Sequence, residues 1–222
     1  MENVKKWTEV DAYITRKLLP VDSILEGVLE ANAKAGLPAI DVAPNHAKFL
    51  HLIALIQGAK RILEIGTLGG YSTIWMARAL PADGRLITLE SEVHHAEVAK
   101  SNIARAGLSD LVEVRIGPAL ETLPKLNDEG VCPFDLIFID ADKQNNSEYL
   151  NWALKLSRKG TVIIGDNVVR KGEVVNASST DSSVQGVRSF FDALASEPQL
   201  SSTAIQTVGS KGYDGFAISI VL

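Results

Sequence analysis

Two stretches of the chain carry an apolar run that ends abruptly in charged or amide side chains. The first, "LIFIDADK", ends in Asp140, Asp142 and Lys143, and the second, "TVIIGDN", ends in Asp166 and Asn167. A single acid after a strand is most often a turn or helix-cap residue, because Asp and Asn favour those positions. In open α/β sheets, however, ligands bind beyond the carboxyl ends of the strands. Since four of the five predicted parallel strands end in a carboxylate, the acids together indicate a ligand site.

A glycine-rich turn in "EIGTLGGYS" follows the first predicted strand. The dinucleotide pattern G-x-G-x-x-G would need glycine in place of Leu68 and Tyr71, and the lysine of a phosphate-binding P-loop is absent. We expect Glu64 to face the pocket, where it would repel a pyrophosphate. Glu90 lies twenty residues past Gly70, where an acid usually accepts hydrogen bonds from a ribose. An adenosine-bearing cation, S-adenosylmethionine, meets both conditions.

The order of elements predicts a parallel sheet flanked by helices. From residue 61 onward, short apolar or β-branched runs alternate with segments of helical period, as in α/β proteins. Five strands are predicted, at 61–66, 85–90, 112–117, 134–140 and 161–166. Two further runs, "SSTAIQTVG" and "GFAISIVL", joined by the turn-prone "SKGYDG", predict a terminal hairpin. We therefore expect the α/β class, with a Rossmann-like, seven-stranded, mostly parallel sheet, helices on both faces and a C-terminal antiparallel hairpin.

The first 60 residues depart from this alternation and predict two or three helices, broken at Pro20 and at "GLP" (36–38). We expect them to form a helical N-terminal segment (1–60) that contributes to the cover of the site. With a Rossmann-like core at 61–222, the whole of 1–222 is then a single domain. The small polar residues of "NASSTDSSVQG" (176–186) predict a mobile loop after the fifth strand.

Composition and charge exclude several kinds of protein. The formal net charge is −5 and the basic runs are no longer than pairs, so the sequence shows no footprint for nucleic acid. No apolar run approaches the roughly 18–20 residues of a membrane span, and the N-terminus lacks an apolar signal region. The single cysteine, Cys132, excludes an internal disulfide. We expect a cytoplasmic protein that binds neither nucleic acid nor a membrane.

Taken together, these motifs resemble one family. They are "ILEIGTLGGYST", "ITLE", "GPALETLP", "FDLIFIDADKQNN" and "VIIGDNVVRKGEVV". The chain is similar to the class I S-adenosylmethionine-dependent methyltransferases, and specifically to the cation-dependent O-methyltransferases of small molecules, which include catechol and caffeoyl-CoA O-methyltransferases. The glycine turn alone would indicate only the superfamily, whereas D-A-D-K on the fourth strand together with D-N on the fifth is specific to this branch.

The resemblance implies a metal site, a base and a cofactor site. Asp140, Asp166 and Asn167 would bind a divalent cation, with Mg²⁺ first and Mn²⁺ or Ca²⁺ as alternatives, because hard oxygen donors suit these ions. Lys143 would be the catalytic base acting on a small phenolic substrate with two vicinal hydroxyls. The S-adenosylmethionine site would comprise Val42, Glu64, Gly66, Thr67, Gly70, Ser72, Glu90, Ala119 and Asp140. Relatives of this length commonly form homodimers, which we also expect here.

Some of these residues have an alternative role. Ser72 could cap the helix that follows it, and Asp142 is expected to be structural. Arg170 and Lys171 stand where many relatives carry an aromatic residue, and they could either favour an acidic phenol or simply be solvated. We expect all four histidines to be non-catalytic: His46, His51, His94 and His95.

Three other functions are alternatives to O-methyl transfer to a phenol. A nicotinamide-dependent oxidoreductase of Rossmann type is opposed by the broken glycine pattern and by Glu64. A non-catalytic nucleoside-binding protein would have no need of a metal site and a base. A methyltransferase acting on RNA or protein is disfavoured by the acidic charge balance and the short chain.

Overall fold

The N-terminal segment is helical, as predicted. The computed structural model describes residues 2–222. Three helices precede the sheet: α1 (Glu2–Leu18), α2 (Ser23–Lys34) and α3 (Pro44–Gln57). Helix α2 begins where the Asp22 side chain accepts hydrogen bonds from the backbone N–H groups of Ile24 and Leu25. Helix α3 ends at Gly58, which takes the left-handed conformation with φ of 60°.

Seven strands form one mixed sheet, and all five predicted parallel strands are confirmed. They are β1 (Arg61–Ile65), β2 (Arg85–Glu90), β3 (Val112–Ile116), β4 (Leu136–Ile139), β5 (Val162–Asp166), β6 (Leu200–Gly209) and β7 (Gly212–Val221). The spatial order is β3-β2-β1-β4-β5-β7-β6, with β7 antiparallel to both β5 and β6. The terminal hairpin is tighter than predicted, because residues 212–215 belong to β7 and not to the turn.

Helices cover both faces of the sheet. The remaining helices are α4 (Tyr71–Ala77), α5 (Val93–Arg105), α6 (Ala119–Asp128), α7 (Asn146–Lys155) and α8 (Ser182–Ser196). Successive strand residues point to opposite faces, so Leu136 and Phe138 pack towards α3, α4 and α5, whereas Ile137 and Ile139 pack towards α6, α7 and α8. All four residues of β4 are fully buried, which places this strand at the centre of the core. No helix within residues 2–222 is long and apolar enough to span a membrane.

The segment at 176–186, predicted to be a mobile loop, is in part helical. Helix α8 starts at Ser182, because the Asp181 side chain accepts hydrogen bonds from the backbone N–H groups of Ser183 and Val184. Gly186 and Val187, one turn further along the helix, are buried. The prediction was wrong for residues 182–186. It relied on the small polar composition of the segment and did not recognise Asp181 as the capping acid of a helix.

One buried carboxylate joins three segments at the amino-terminal edge of the sheet. Asp135 Oδ2 accepts hydrogen bonds from the backbone N–H groups of Lys60 and Arg61, at 2.8 and 2.9 Å. Its Oδ1 accepts from Arg158 Nη2 at 2.5 Å. Burial opposes ionisation of Asp135, but the two backbone donors and the guanidinium outweigh it and lower the pKa of the carboxyl. The ionised form therefore stabilises the fold.

We predict that Asp135→Asn lowers the free energy of unfolding by about 1–2 kcal/mol at pH 7, because charge-assisted bonds to partly screened donors are lost. A carboxyl whose pKa is lowered by folding stabilises the fold above its unfolded pKa of about 3.9, and that contribution disappears as pH falls through the folded value. The difference between the two proteins should therefore shrink below about pH 4. Urea unfolding at several pH values measures it.

Asp83→Asn is the matched control, because Asp83 is an exposed acid that pairs with Lys60 at 2.8 Å in the same region. This variant removes the same charge, and we expect little change in stability. Equal effects of the two substitutions, or a difference that does not depend on pH, would contradict the role assigned to Asp135.

Candidate active site

A cavity of about 670 Å³ opens at the carboxyl ends of the five parallel strands, β1 to β5. This size is in the range of small-molecule sites, and the position is the one expected for an open α/β sheet. Most of the predicted site residues line it: Val42, Gly66, Thr67, Ser72, Glu90, Ala119, Asp140, Lys143 and Asn167. Three predicted residues, Glu64, Gly70 and Asp166, do not belong to its wall.

The glycine turn lies directly on the backbone that follows β4. Gly66 has a φ of 98°, and a Cβ placed on it would lie 2.1 Å from the carbonyl oxygen of Asp140. Any side chain at this position would separate the turn from Asp140. Gly70 has a φ of 83° and directly precedes α4, so its role is to turn the chain behind the cavity wall.

Glu64 is fully buried beneath the glycine turn, so the expectation that it faces the pocket is wrong. Its Oε1 accepts a hydrogen bond from Ser72 Oγ at 2.6 Å. Its Oε2 accepts from Thr73 Oγ1 at 2.5 Å and from Thr88 Oγ1 at 2.7 Å. These three hydroxyls draw the carboxylate away from the cavity. Burial raises the pKa of Glu64 to about 7, although the hydroxyl donors act in the opposite direction.

Ser72 connects this buried carboxylate to the cavity wall. It is the second residue of α4, and no side chain caps this helix. The alternative role of Ser72 as a helix cap is therefore wrong. Because its hydroxyl donates to Glu64 and its side chain also lines the cavity, Ser72 links the buried carboxylate to any ligand bound there.

Glu90, unlike Glu64, does line the cavity. It ends β2 and is held by backbone donors: Oε2 accepts from the N–H groups of Thr67 and Leu68 at 3.2 and 2.7 Å, and Oε1 accepts from the N–H of Glu92 at 3.0 Å. A carboxylate fixed in this way is a suitable acceptor for a ribose diol. Leu68 has a φ of 50°, a conformation unfavourable for a residue with a Cβ, and its bond to Glu90 helps to hold it there.

The acids of β4 and β5 converge with the predicted base. Lys143 Nζ donates to Asp140 Oδ1 at 2.8 Å, and only 7% of the Lys143 side chain is exposed. Asp166 lies just behind the wall, where burial and then the charge of Asp140 raise its pKa to about 8, while Lys143 acts in the opposite direction. The chain turns sharply after this residue: Asn167 has a φ of 56°, and its backbone N–H donates to Asp166 Oδ1 at 2.8 Å.

This donor set suits a hard divalent cation. Burial and the nearby charge of Asp140 disfavour the ionised form of Asp166, and a cation bound here would offset both effects. Among residues 2–222 no group of three or more His, Cys, Asp and Glu side chains is arranged to hold a metal ion. A metal here would therefore depend on two carboxylates, the Asn167 amide oxygen and non-protein ligands. Mg²⁺ accepts such sites, because it keeps several waters when bound to proteins.

Asp142 has the structural role that the sequence predicted. Its Oδ1 accepts from Tyr149 Oη and its Oδ2 from Asn145 Nδ2, both at 2.5 Å. These bonds tie the turn after β4 to the start of α7. Helix α8 supports the same turn from the other side, since a Cβ on Gly186 would lie 2.2 Å from the carbonyl oxygen of Lys143. Sequence reasoning missed Gly186, whose importance depends on a contact between distant segments.

Two of the four histidines lie at the site. His46 Nδ1 is 3.6 Å from Asp166 Oδ2, its ring stacks on Phe216, and within residues 2–222 its buried Nε2 has no partner. Burial lowers the pKa of His46, with Asp140 acting in the opposite direction, which favours a neutral ring. His95 Nδ1 lies 3.7 Å from Glu90 Oε1. Neither contact leaves a signal in the sequence spacing.

The other two histidines lie away from the acidic cluster. The ring of His51 bonds to the carbonyl oxygen of Trp75, and that of His94 to the carbonyl oxygen of Ala35, each at 2.9 Å. Both contacts are with backbone atoms and neither residue lines the cavity. Their positions are consistent with the prediction that these two histidines are non-catalytic.

Comparisons with known proteins identify the family. A family model described as "O-methyltransferase" matches residues 19–214. The chain is 52% identical over 219 residues to a catechol O-methyltransferase of Niastella koreensis, covering 99% of both chains. It is 49% identical over 213 residues to a catechol O-methyltransferase of Mycobacterium tuberculosis, covering 96% of this chain and 95% of the relative.

Solved structures agree with the sequence relatives. An O-methyltransferase from Bacillus cereus in complex with SAH has a TM-score of 0.98 and 60% identity, covering 99% of this chain and 100% of that one. TomG from Streptomyces achromogenes, an O-methyltransferase of tomaymycin synthesis solved with SAM, has a TM-score of 0.96 and 48% identity, covering 100% of this chain and 99% of that one.

These matches extend over nearly the whole chain, and they give no support to a nicotinamide-dependent oxidoreductase or to a nucleoside-binding protein without activity. They agree with the motifs after β1, β4 and β5 that first indicated the family. The protein belongs to the O-methyltransferase family and is an S-adenosylmethionine-dependent enzyme.

Proposed function

We propose that the protein transfers a methyl group from S-adenosylmethionine to one hydroxyl of a small catechol-type phenol with the help of a divalent cation. The observation that carries this proposal is that Asp140, Lys143 and Asn167 line a single cavity, with Asp166 close behind its wall. Two relatives that share about half of this sequence are named catechol O-methyltransferases, which supports the acceptor class.

The cofactor would occupy the part of the cavity formed by the ends of β1, β2 and β3. Glu90 would accept hydrogen bonds from the ribose, while Gly66, Thr67 and Ala119 would pack against the nucleoside. Val42 would close the site from the N-terminal segment, and Ser72 and Asp140 would face the amino-acid part. Glu64 and Gly70 would support this site from behind, since neither reaches the wall.

In the proposed mechanism the protein holds the acceptor and removes one proton. Asp140, Asp166 and Asn167 would hold a divalent cation, Mg²⁺ in preference to Mn²⁺ or Ca²⁺, and such an ion supplies a charge that lowers the pKa of a coordinated hydroxyl. Lys143 Nζ, as the neutral amine, would take the proton from the acceptor hydroxyl and become the ammonium that pairs with Asp140. The fixed turn after β4, held by Tyr149 and Gly186, keeps the amine in place, and such positioning is a major source of rate acceleration.

A homodimer and a cytoplasmic location stay predictions from the sequence. Apolar side chains exposed on α3, namely Leu52, Leu55 and Ile56, offer one surface that a second copy could cover. Light scattering on the purified protein would measure its mass against the 23.9 kDa of one chain.

We predict that dialysis against EDTA abolishes methylation of catechol and that added Mg²⁺ restores it. Asp166→Ala should lower kcat/KM by about 100-fold or more even with excess Mg²⁺, because a buried ligand is lost. Asp128→Ala is the control, since Asp128 is an exposed acid at the end of α6, and its activity should be unchanged. Full turnover in metal-free buffer would refute the metal requirement.

For the proposed base, Lys143→Met should lower kcat by about 10²- to 10⁴-fold, the usual contribution of a general base. The Kd for S-adenosylhomocysteine, measured by calorimetry, should stay nearly constant. Lys100→Met removes an exposed lysine from α5 and should leave both quantities unchanged. If Lys143→Met instead weakened cofactor binding as much as it slowed turnover, Lys143 would belong to the cofactor site.

A further inference from the structure

Arg170 is a cavity-lining cation that the proposed mechanism does not use. It lies on the wall three residues after Asn167. Within residues 2–222 its guanidinium makes no hydrogen bond or ion pair with the protein, although its backbone N–H is bonded. The other strong cation of the wall, Lys143, is already paired with Asp140. Arg170 thus presents hydrogen-bond donors to the cavity that a ligand can use.

The backbone holds Arg170 in an unfavourable conformation at this position. Its φ is 54°, in the left-handed region that residues with a Cβ rarely adopt. Asp214 holds it there, because its Oδ1 accepts hydrogen bonds from the backbone N–H groups of Val169 and Arg170, both at 3.0 Å. Strained residues of this kind cluster at functional sites. Lys171 is also left-handed, but it is exposed and does not line the cavity.

The charge of the wall limits where a negatively charged ligand group can lie. Five carboxylates line the cavity: Asp41, Glu90, Glu92, Asp140 and Asp142. Each would repel a second anion, and Lys143 is neutralised by its own partner. Arg170 is therefore the group on this wall best able to bind a carboxylate, and a guanidinium does so through two parallel hydrogen bonds.

Strand order places Arg170 at the acceptor end. The nucleoside acid Glu90 ends β2, and the path along the sheet runs through β1 and β4 to β5, after which Arg170 follows. Three spacings of roughly 4.8 Å separate β2 from β5 by about 14 Å. Arg170 lines the same cavity as Asn167, which lies three residues before it in the chain and belongs to the proposed metal site.

We infer that Arg170 selects acceptors that carry a carboxylate on the side of the ring away from the two hydroxyls, that is, catecholic acids. The inference rests on the proposed catechol O-methyltransferase activity and names its substrate class. The two hydroxyls face Asp140, Lys143 and Asn167, and the carboxylate receives the Arg170 guanidinium.

The test compares 3,4-dihydroxybenzoate with its methyl ester, which has the same ring and hydroxyls but no charge. Calorimetry on protein saturated with S-adenosylhomocysteine and Mg²⁺ gives a Kd for each, and turnover gives kcat/KM. In Arg170→Met we expect the Kd of the acid to rise by about 10- to 100-fold, the loss of a charge-assisted hydrogen bond, while the ester binds unchanged. Arg170→Lys keeps the charge without the planar fork and should recover part of the loss.

Lys171→Met is the matched control, because it removes the neighbouring exposed cation and should leave both ligands unaffected. Equal effects of Arg170→Met on acid and ester, or no effect on either, would overturn the inference and leave the catechol activity standing. A matching rise in the Kd of S-adenosylhomocysteine would assign Arg170 to the carboxylate of the cofactor and would also overturn it. If the unaltered enzyme neither binds nor methylates either compound, the proposed function fails together with the inference.

Discussion

Two neighbouring parallel strands lead into carboxylates, Asp140 on the cavity wall and Asp166 buried behind it, and a single lysine pairs with Asp140. The rest of the site is arranged around this excess of negative charge. The pairing of β4 with β5 sets Ile139 opposite Gly165, so Asp140 and Asp166 follow at adjacent positions of one edge. Lys143 pairs with Asp140, yet the pKa of Asp166 still rises to about 8. A cation held by these residues would reduce the cost of burying the charge of Asp166.

The surrounding elements hold this cluster against relaxation. The glycine turn after β1 lies on the backbone of Asp140, and α8 lies on the backbone of Lys143, in both cases at distances that admit no Cβ. Tyr149 and Asn145 hold Asp142, which fixes the turn between them. Because these supports come from three separate segments, the position of Lys143 depends on the whole fold and not on its local sequence.

Local patterns predicted most of the fold. Strands showed as short apolar runs with clear turn signals, and the acids that end them belong to the same short stretches, so Asp140, Lys143, Asp166 and Asn167 could be chosen from the sequence. The start of α8 was missed, because a capping acid within a run of small polar residues resembles a loop. Residue types alone could not show that Asp181 caps a helix.

Contacts between distant segments were beyond prediction. Glu64 was expected to face the pocket. The side-chain alternation of β1 does not reveal that Ser72, Thr73 and Thr88 supply hydroxyls that bind the Glu64 carboxylate away from the pocket. His46 meets Asp166 across 120 positions of chain, and no spacing rule connects them. The separation of Arg170 from Lys171, one on the wall and one exposed, likewise depends on a backbone turn held by Asp214.

The central claim is that a cation at Asp140, Asp166 and Asn167 receives the vicinal hydroxyls. Its most direct test is the equilibrium binding of catechol to protein saturated with S-adenosylhomocysteine. Calorimetry with Mg²⁺ and then with EDTA measures the effect of the metal on catechol binding in the absence of methyl transfer. We predict that catechol binds only in the presence of the metal. Equal affinity in the two conditions would contradict it.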